Sequence, residues 1–173
     1  MRRIQIVIAI ILILAASLFF LHLNGWSLDF TDREVVIIVT DSMEGEPTDY
    51  PIDTIERNTV VMVEKIHSDE EKASLKEGDV IQFLYFGLKD HHRLISNDPA
   101  NRMIVTKGDN QPFSENVSYD RILGKVVGKD HVAGMIVSFA KSNWILLIVV
   151  LLSILLIPEV YRRLYPGEKE EHR

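Results

Sequence analysis

The sequence predicts a mostly β domain held between two apolar helices that span a membrane. Three observations predict it. The 173-residue chain gathers its longest apolar runs near its two ends. Its middle carries short runs of β-branched and aromatic residues bounded by polar or turn residues. Basic residues flank the outer sides of both apolar runs.

The first run, Ile4 to Leu23, is interrupted only by Gln5, Ser17 and His22. A helix needs about 20 residues to cross about 30 Å of hydrocarbon, and this run meets that length. Met1-Arg2-Arg3 would also suit the basic start of a cleaved secretory signal. The run is longer than the ~7–15 apolar residues of such a signal, and no small-x-small cleavage site follows it cleanly, so an uncleaved anchor is the expectation. The second run, Trp144 to Ile157, is broken only by Ser153 and preceded by an apolar lead-in, Val132 to Ala140. It reaches a spanning length at about Tyr161, with Pro158 and Glu159 at the interface.

Arg2 and Arg3 before the first span, and Arg162, Arg163, Lys169 and Arg173 after the second, place both flanks on the cytoplasmic side. The expected organisation is therefore a cytoplasmic N-terminus (1–3), a span (4–23), an extracytoplasmic domain (24–142), a second span (143–161) and a cytoplasmic tail (162–173). The outer domain holds 13 of the 19 Lys and Arg and 21 of the 25 Asp and Glu, a net charge of −8. So acidic a surface excludes nucleic acid as the natural partner. The chain has no cysteine, which excludes disulfides and thiolate metal sites.

Within the outer domain, strands are expected at Glu34–Thr40, Thr59–Ile66 and Asp79–Phe86. Shorter ones are expected at Arg93–Ser96, Met103–Thr106 and Arg121–Val127. Val35 to Val39 reads as a strand buried on both faces. Turn signals fall at Glu46-Pro47-Thr48-Asp49, Gly87, Asn97-Asp98-Pro99 and Lys107-Gly108-Asp109-Asn110. His67 to Glu77 is a charged insertion, a solvated loop or short helix. The Phe83-Leu84-Tyr85-Phe86 run reads first as a strand buried on both faces. Its other reading gives alternate residues to a substrate groove or to the lipid interface.

Ser42 follows the first strand, a rigid place to hold a reacting group. Alone, it would be an ordinary turn serine bonded to its own backbone. An activated serine needs a base within hydrogen-bond reach and a third group to orient that base. His91 and His92 offer the base, and Asp109, Glu115 and Asp120 the carboxylate. Adjacent strand residues face opposite ways, so only one histidine can face Ser42. Asp90-His91-His92 has a passing likeness to a metal-phosphoesterase motif, but no further cluster with ligand spacing accompanies it.

Four short motifs occur in a fixed order: Ser42-Met43, Gly78-Asp79-Val80-Ile81, His92-Arg93-Leu94 and Lys107-Gly108-Asp109-Asn110. In this the chain resembles the type I signal peptidases of the archaeal and endoplasmic-reticulum branch, between Val35 and about Val127. The resemblance implies a signal-peptidase-like β domain and a serine endopeptidase that removes N-terminal signal peptides from exported preproteins, with Ser42 as nucleophile and His92 as base. It also implies Gly78, Asp79, Arg93, Lys107 and Gly108 as supporting residues, the Ser42 N–H as an oxyanion donor, and no metal or cofactor. Secretory preproteins with small residues at the first and third positions before the cut, the lipid bilayer and the protein-export translocon are the implied partners.

Two departures stand out. Asp41 precedes Ser42 where relatives often have Gly, and Glu115 stands where they have the catalytic Asp. The acid is therefore left between Glu115 and Asp109, with Asp120 third. His91 is expected to face solvent or share a surface with Asp90, Lys107 to serve a turn or packing role, and Asp79 to brace a turn. Asn116-Val117-Ser118 is a glycosylation sequon. A processing peptidase dedicated to one surface substrate and a non-catalytic binding module are the alternative readings.

Overall fold

The structure is a computed structural model that describes residues 2–23 and 27–165. Lys169 and Arg173, counted above as flanking charges, lie outside the described residues. The chain forms two compact units, 26–138 and the paired ends 1–25 and 139–173.

The first unit is an antiparallel sheet of eight strands: β1 (Leu28–Asp29), β2 (Arg33–Ile37), β3 (Val60–Lys65), β4 (Val80–Tyr85), β5 (Leu88–Asp98), β6 (Met103–Lys107), β7 (Ser114–Ser118) and β8 (Ile122–Asp130). Their order is β1-β2-β3-β8-β4-β5-β6-β7. β3, β4 and β6 fall where β-branched and aromatic residues predicted strands. β5 is longer than expected, starting at Leu88, and β7 had no signal because Ser114-Glu115-Asn116 is polar. The register shifts at Met62/Val63, Gln82/Phe83 and Leu94/Ser96. Such bulges increase the local twist of a sheet. The sheet curls enough that Glu34 of β2 meets Gln82 of β4 at 3.2 Å, although two strands separate them in the ladder.

Alternation along each strand fills two cores. Ile81 and Phe83 join Leu75, Leu94, Ile104, Val117, Tyr119 and Ile122 in one. Val80 joins Ile38, Met43, Ile55, Val61, Val63 and Val126 in the other. The expectation that Val35 to Val39 is buried on both faces is corrected: Val35, Val36 and Ile37 are half-buried and Val39 is exposed, because β2 lies next to the edge strand β1. The 83–86 run is corrected too. Phe83 is buried, Leu84 half-buried, Tyr85 exposed and Phe86 almost wholly exposed, since the run leaves the core for a hairpin tip.

The charged insertion contains the short helix α2 (Asp69–Ala73). Ser68 caps it, accepting from the Glu71 N–H, while the Glu71 carboxylate accepts from the Ser68 N–H.

The other unit contains α1 (Arg2–Leu23), which packs with a later helix, α4 (Trp144–Leu164). Between β8 and α4 lies α3 (His131–Ser142). Among the described residues one helical segment, Trp144–Tyr161, is long and apolar enough to cross a membrane. In α1 the apolar stretch so recognised is Ile8–Ser17, shorter than a span. α4 continues unbroken through Pro158, so Arg162 and Arg163 belong to the helix and not to a tail.

Candidate active site

The Ser42 loop is fastened from three directions. Met43, next to the serine, is fully buried and anchors the loop in the second core. Its carbonyl accepts from the Ile55 N–H at 2.9 Å and from the Thr54 hydroxyl at 2.8 Å. The Glu44 carboxylate takes the Arg57 N–H at 2.7 Å. Asp53 tightens the same segment by accepting from the Thr48 and Thr54 N–H groups, and those bonds hold its carboxyl below the usual range.

The third fastening is the Lys107–Asn110 turn. The Asn110 N–H donates to the Ser42 carbonyl at 2.9 Å, and the Asn110 amide donates to the Asp41 carbonyl at 3.3 Å. A side chain at Gly108 would meet the Ser42 carbonyl oxygen at 2.6 Å, so this approach requires glycine. Two motifs far apart in sequence thus form one surface.

Arg93 joins the other two motifs to it. The side chain is buried, and its Nε and Nη2 form a fork on Asp109 at 2.8 and 2.6 Å. Nη1 donates to the carbonyls of Ile52 and Gly78 at 2.8 and 3.0 Å. Gly78, at φ 92, lies against the Tyr50 ring, over which the guanidinium also sits at 5.1 Å. Asp79 accepts from the Lys76 N–H at 2.9 Å and pairs with Lys125 at 2.9 Å. Lys107 is half-buried, in register with Arg93 on one side and Ser114 on the other.

His92 faces the other way from Arg93, onto the first core. It is fully buried, 5.5 Å from the Phe83 ring. Its Nδ1 lies 3.7 Å from Glu115 Oε2 and its Nε2 lies 3.8 Å from Asp90 Oδ2. Both ring nitrogens, Glu115 Oε2 and the Thr106 hydroxyl are buried and make no hydrogen bond among the described residues.

No family model matches the chain. No curated protein matches it either. The family resemblance therefore rests on the four motifs alone.

The structure separates the two carboxylates considered for the acid. Asp109 is committed to Arg93, whereas Glu115 stands beside His92. Asp120 is on the surface, paired with Arg102 at 2.8 Å. Ser42 is half-buried, and its hydroxyl shares a hydrogen bond of 3.2 Å with Thr40; among the described residues no hydrogen bond joins it to His92.

His91 corrects the expectation of a solvent-facing side chain. It is buried, its Nε2 lies 3.2 Å from the Gln82 amide, and Gln82 in turn donates to Glu34. Burial pushes the imidazole down to about 4, against the opposing charges of Asp90 and Glu34. The curl of the sheet covers this face with β2, which pairing signals along β5 could not reveal.

Sequence reading passed over Thr40 and Thr106 and placed Asp90 with His91 alone. Asp90 stands two residues before His92 on β5, the period at which strand residues share a face, whereas Thr40 meets Ser42 across the bend that follows β2. Thr106 is the direct register partner of Glu115.

A polar cavity of about 480 Å³ elsewhere in the domain is lined by Glu64, Lys65, His67, Glu71, Asp79 and Lys125, among others, but not by Ser42, His92 or Glu115. Among the described residues no group of three or more His, Asp or Glu side chains is arranged to hold a metal ion.

Proposed function

We propose that the chain is a membrane-anchored serine endopeptidase of the signal-peptidase kind, acting on the N-terminal segments of exported preproteins outside the cytoplasm. The observation that carries the reading is the approach of Glu115 to His92 Nδ1 at 3.7 Å, while the neighbouring Arg93 ties the same strand to the Ser42 loop through Asp109. Three residue types required by acyl transfer are thereby held by one connected framework.

In the proposed reaction the Ser42 hydroxyl leaves Thr40 for the imidazole when substrate binds. Catalytic hydrogen bonds are often long or unmade before substrate arrives. Ser42 Oγ then attacks the scissile carbonyl as His92 Nε2 takes its proton. Glu115 orients the ring through Nδ1–H and favours the imidazolium. His92 returns the proton to the leaving amine, and water then releases the acyl group from Ser42. The Ser42 N–H is the oxyanion donor that the resemblance implies, a contact typically worth ~2.7–4 kcal/mol. Both terminal helices act as anchors, with the β domain outside, so enzyme and membrane-held signal segment share one surface.

The test is cleavage of a model preprotein in membranes. Ser42→Ala and His92→Ala should each lower the rate by about 10²–10⁴-fold, and Glu115→Gln should do so without unfolding the domain. Asp109→Asn should instead destabilise the protein, because it leaves a buried guanidinium without its partner, a change that typically costs ~3–5 kcal/mol. Undiminished cleavage by Ser42→Ala would remove the serine mechanism. The full burial of His92 and its missing bond to Ser42 favour, as second reading, a non-catalytic binding module. A serine-directed covalent probe that labels wild type but not Ser42→Ala would exclude it.

A further inference from the structure

The hairpin joining β4 to β5 closes through Phe86 and Gly87 between the paired residues Tyr85 and Leu88. Phe86 is 90 % exposed and Leu88 75 % exposed. The backbone at both turn residues is left-handed, φ 47 at Phe86 and 82 at Gly87. Two-residue hairpins of this kind favour Asn or Asp before the Gly, and a bulky aromatic is poorly suited to that position. The phenylalanine is thus held where turn geometry disfavours it and where folding gains no burial from it. Exposure and backbone strain are independent observations, and both point to a purpose outside the fold.

We propose that this hairpin tip inserts into the interfacial zone of a lipid bilayer. Phe86 and Leu88 enter the upper acyl region, and Tyr85 lies at headgroup level, where aromatic side chains are favoured. Arg121 supplies the polar complement. Its guanidinium stands 5.7 Å over the Tyr85 ring, oriented by the bond from its Nε to the Leu84 carbonyl. Its terminal nitrogens have no protein partner among the described residues and suit a lipid phosphate. Lys89 is already neutralised by Glu34, with both carboxylate oxygens 2.7 Å from its ammonium.

The tip is convex, so a folded partner would need a pocket shaped to it, whereas a bilayer yields to any apolar projection. The same chain carries one helical segment long and apolar enough to cross a membrane, so a bilayer is the apolar phase to which the domain would be tethered. The outer domain, 24–142, has a net charge of −8, which rules out general attraction to anionic lipid. Insertion should therefore occur on zwitterionic membranes and depend little on salt.

The inference does not depend on the peptidase reading. Because the chain has no cysteine, Leu88→Cys gives the full-length protein one labelling site. An environment-sensitive fluorophore there, in phosphatidylcholine vesicles, should be quenched by lipid nitroxides near the headgroup and shielded from aqueous iodide. The same fluorophore at Asn101→Cys, on the exposed β5–β6 turn, should show the reverse. Adding Phe86→Asn, which suits the turn better, should release the Leu88→Cys label to iodide while circular dichroism stays unchanged. Equal iodide access at both positions would overturn the proposal. So would a label shielded from iodide yet unquenched by lipid nitroxides, since that pattern means a protein partner.

Discussion

His91 and His92 are neighbours on one strand with different surroundings, and the difference sets a measurable pH dependence. Strand alternation made their opposite orientation legible in the sequence. Which face would be dry was not, because Glu34 arrives from β2, with three strands between it and β5 in the sheet. Burial holds His91 neutral in the folded protein, its pKa down from 6.5 to about 4. Between those values the unfolded chain binds the extra proton and the folded chain does not, so stability falls as pH falls. The contribution is fully present above pH 6.5 and is lost progressively toward pH 4, to a limit of about 3 kcal/mol. Urea unfolding at pH 7 and pH 4.5 should show the loss, and His91→Gln should flatten that part of the profile. A profile unchanged by the substitution would mean that other groups govern the acid limb.

At the scale of elements, the site depends on a turn pressed against a loop. The sequence marked Lys107–Asn110 as a turn and Ser42 as a loop residue. It gave no geometric reason for them to touch, because the contact is between backbone groups: Asn110 N–H to the Ser42 carbonyl. Gly108 is where that contact is most exposed to a test. Its backbone is not left-handed, so alanine would be tolerated in conformation but not in space, with Ser42 O at 2.6 Å and Gln111 Cγ at 3.1 Å from the added carbon. Gly108→Ala should destabilise the domain by ~1–3 kcal/mol, the usual scale for overpacking. Because the obstructing atom is backbone of Ser42, the nucleophile of the proposed mechanism, that mechanism predicts that cleavage falls further than the stability change explains. Gly87 offers the opposite case: open space but φ 82, where alanine strains the backbone and leaves the Ser42 loop alone. Comparing the two variants by thermal unfolding and by cleavage rate separates damage to the loop from damage to the fold. If Gly108→Ala keeps full cleavage, the turn is scaffold only.

For the whole molecule, apolar segregation along the chain made a β-rich middle between helical ends legible, and the structure has a compact unit at 26–138. The polar strand β7 was not legible, since its place is set by pairing with β6 and not by its own composition. The anchors have a physical consequence under the proposed function. A signal segment held in the bilayer confines its cleavage site to a thin layer, and an enzyme anchored in that bilayer meets it at a raised effective concentration without any new contact. That advantage exists only for a membrane-held substrate. Release of the 26–138 unit from its helices should therefore lower cleavage of a membrane-inserted preprotein by about 10–10²-fold and leave cleavage of a short soluble peptide nearly unchanged. The ratio of the two rates is the measurement, because a folding defect in the released unit would lower both together. Equal rates on the membrane-inserted preprotein would show that the helices do not serve encounter. Loss of both activities, with the unit still folded by circular dichroism, would mean that the helices contribute to the site itself.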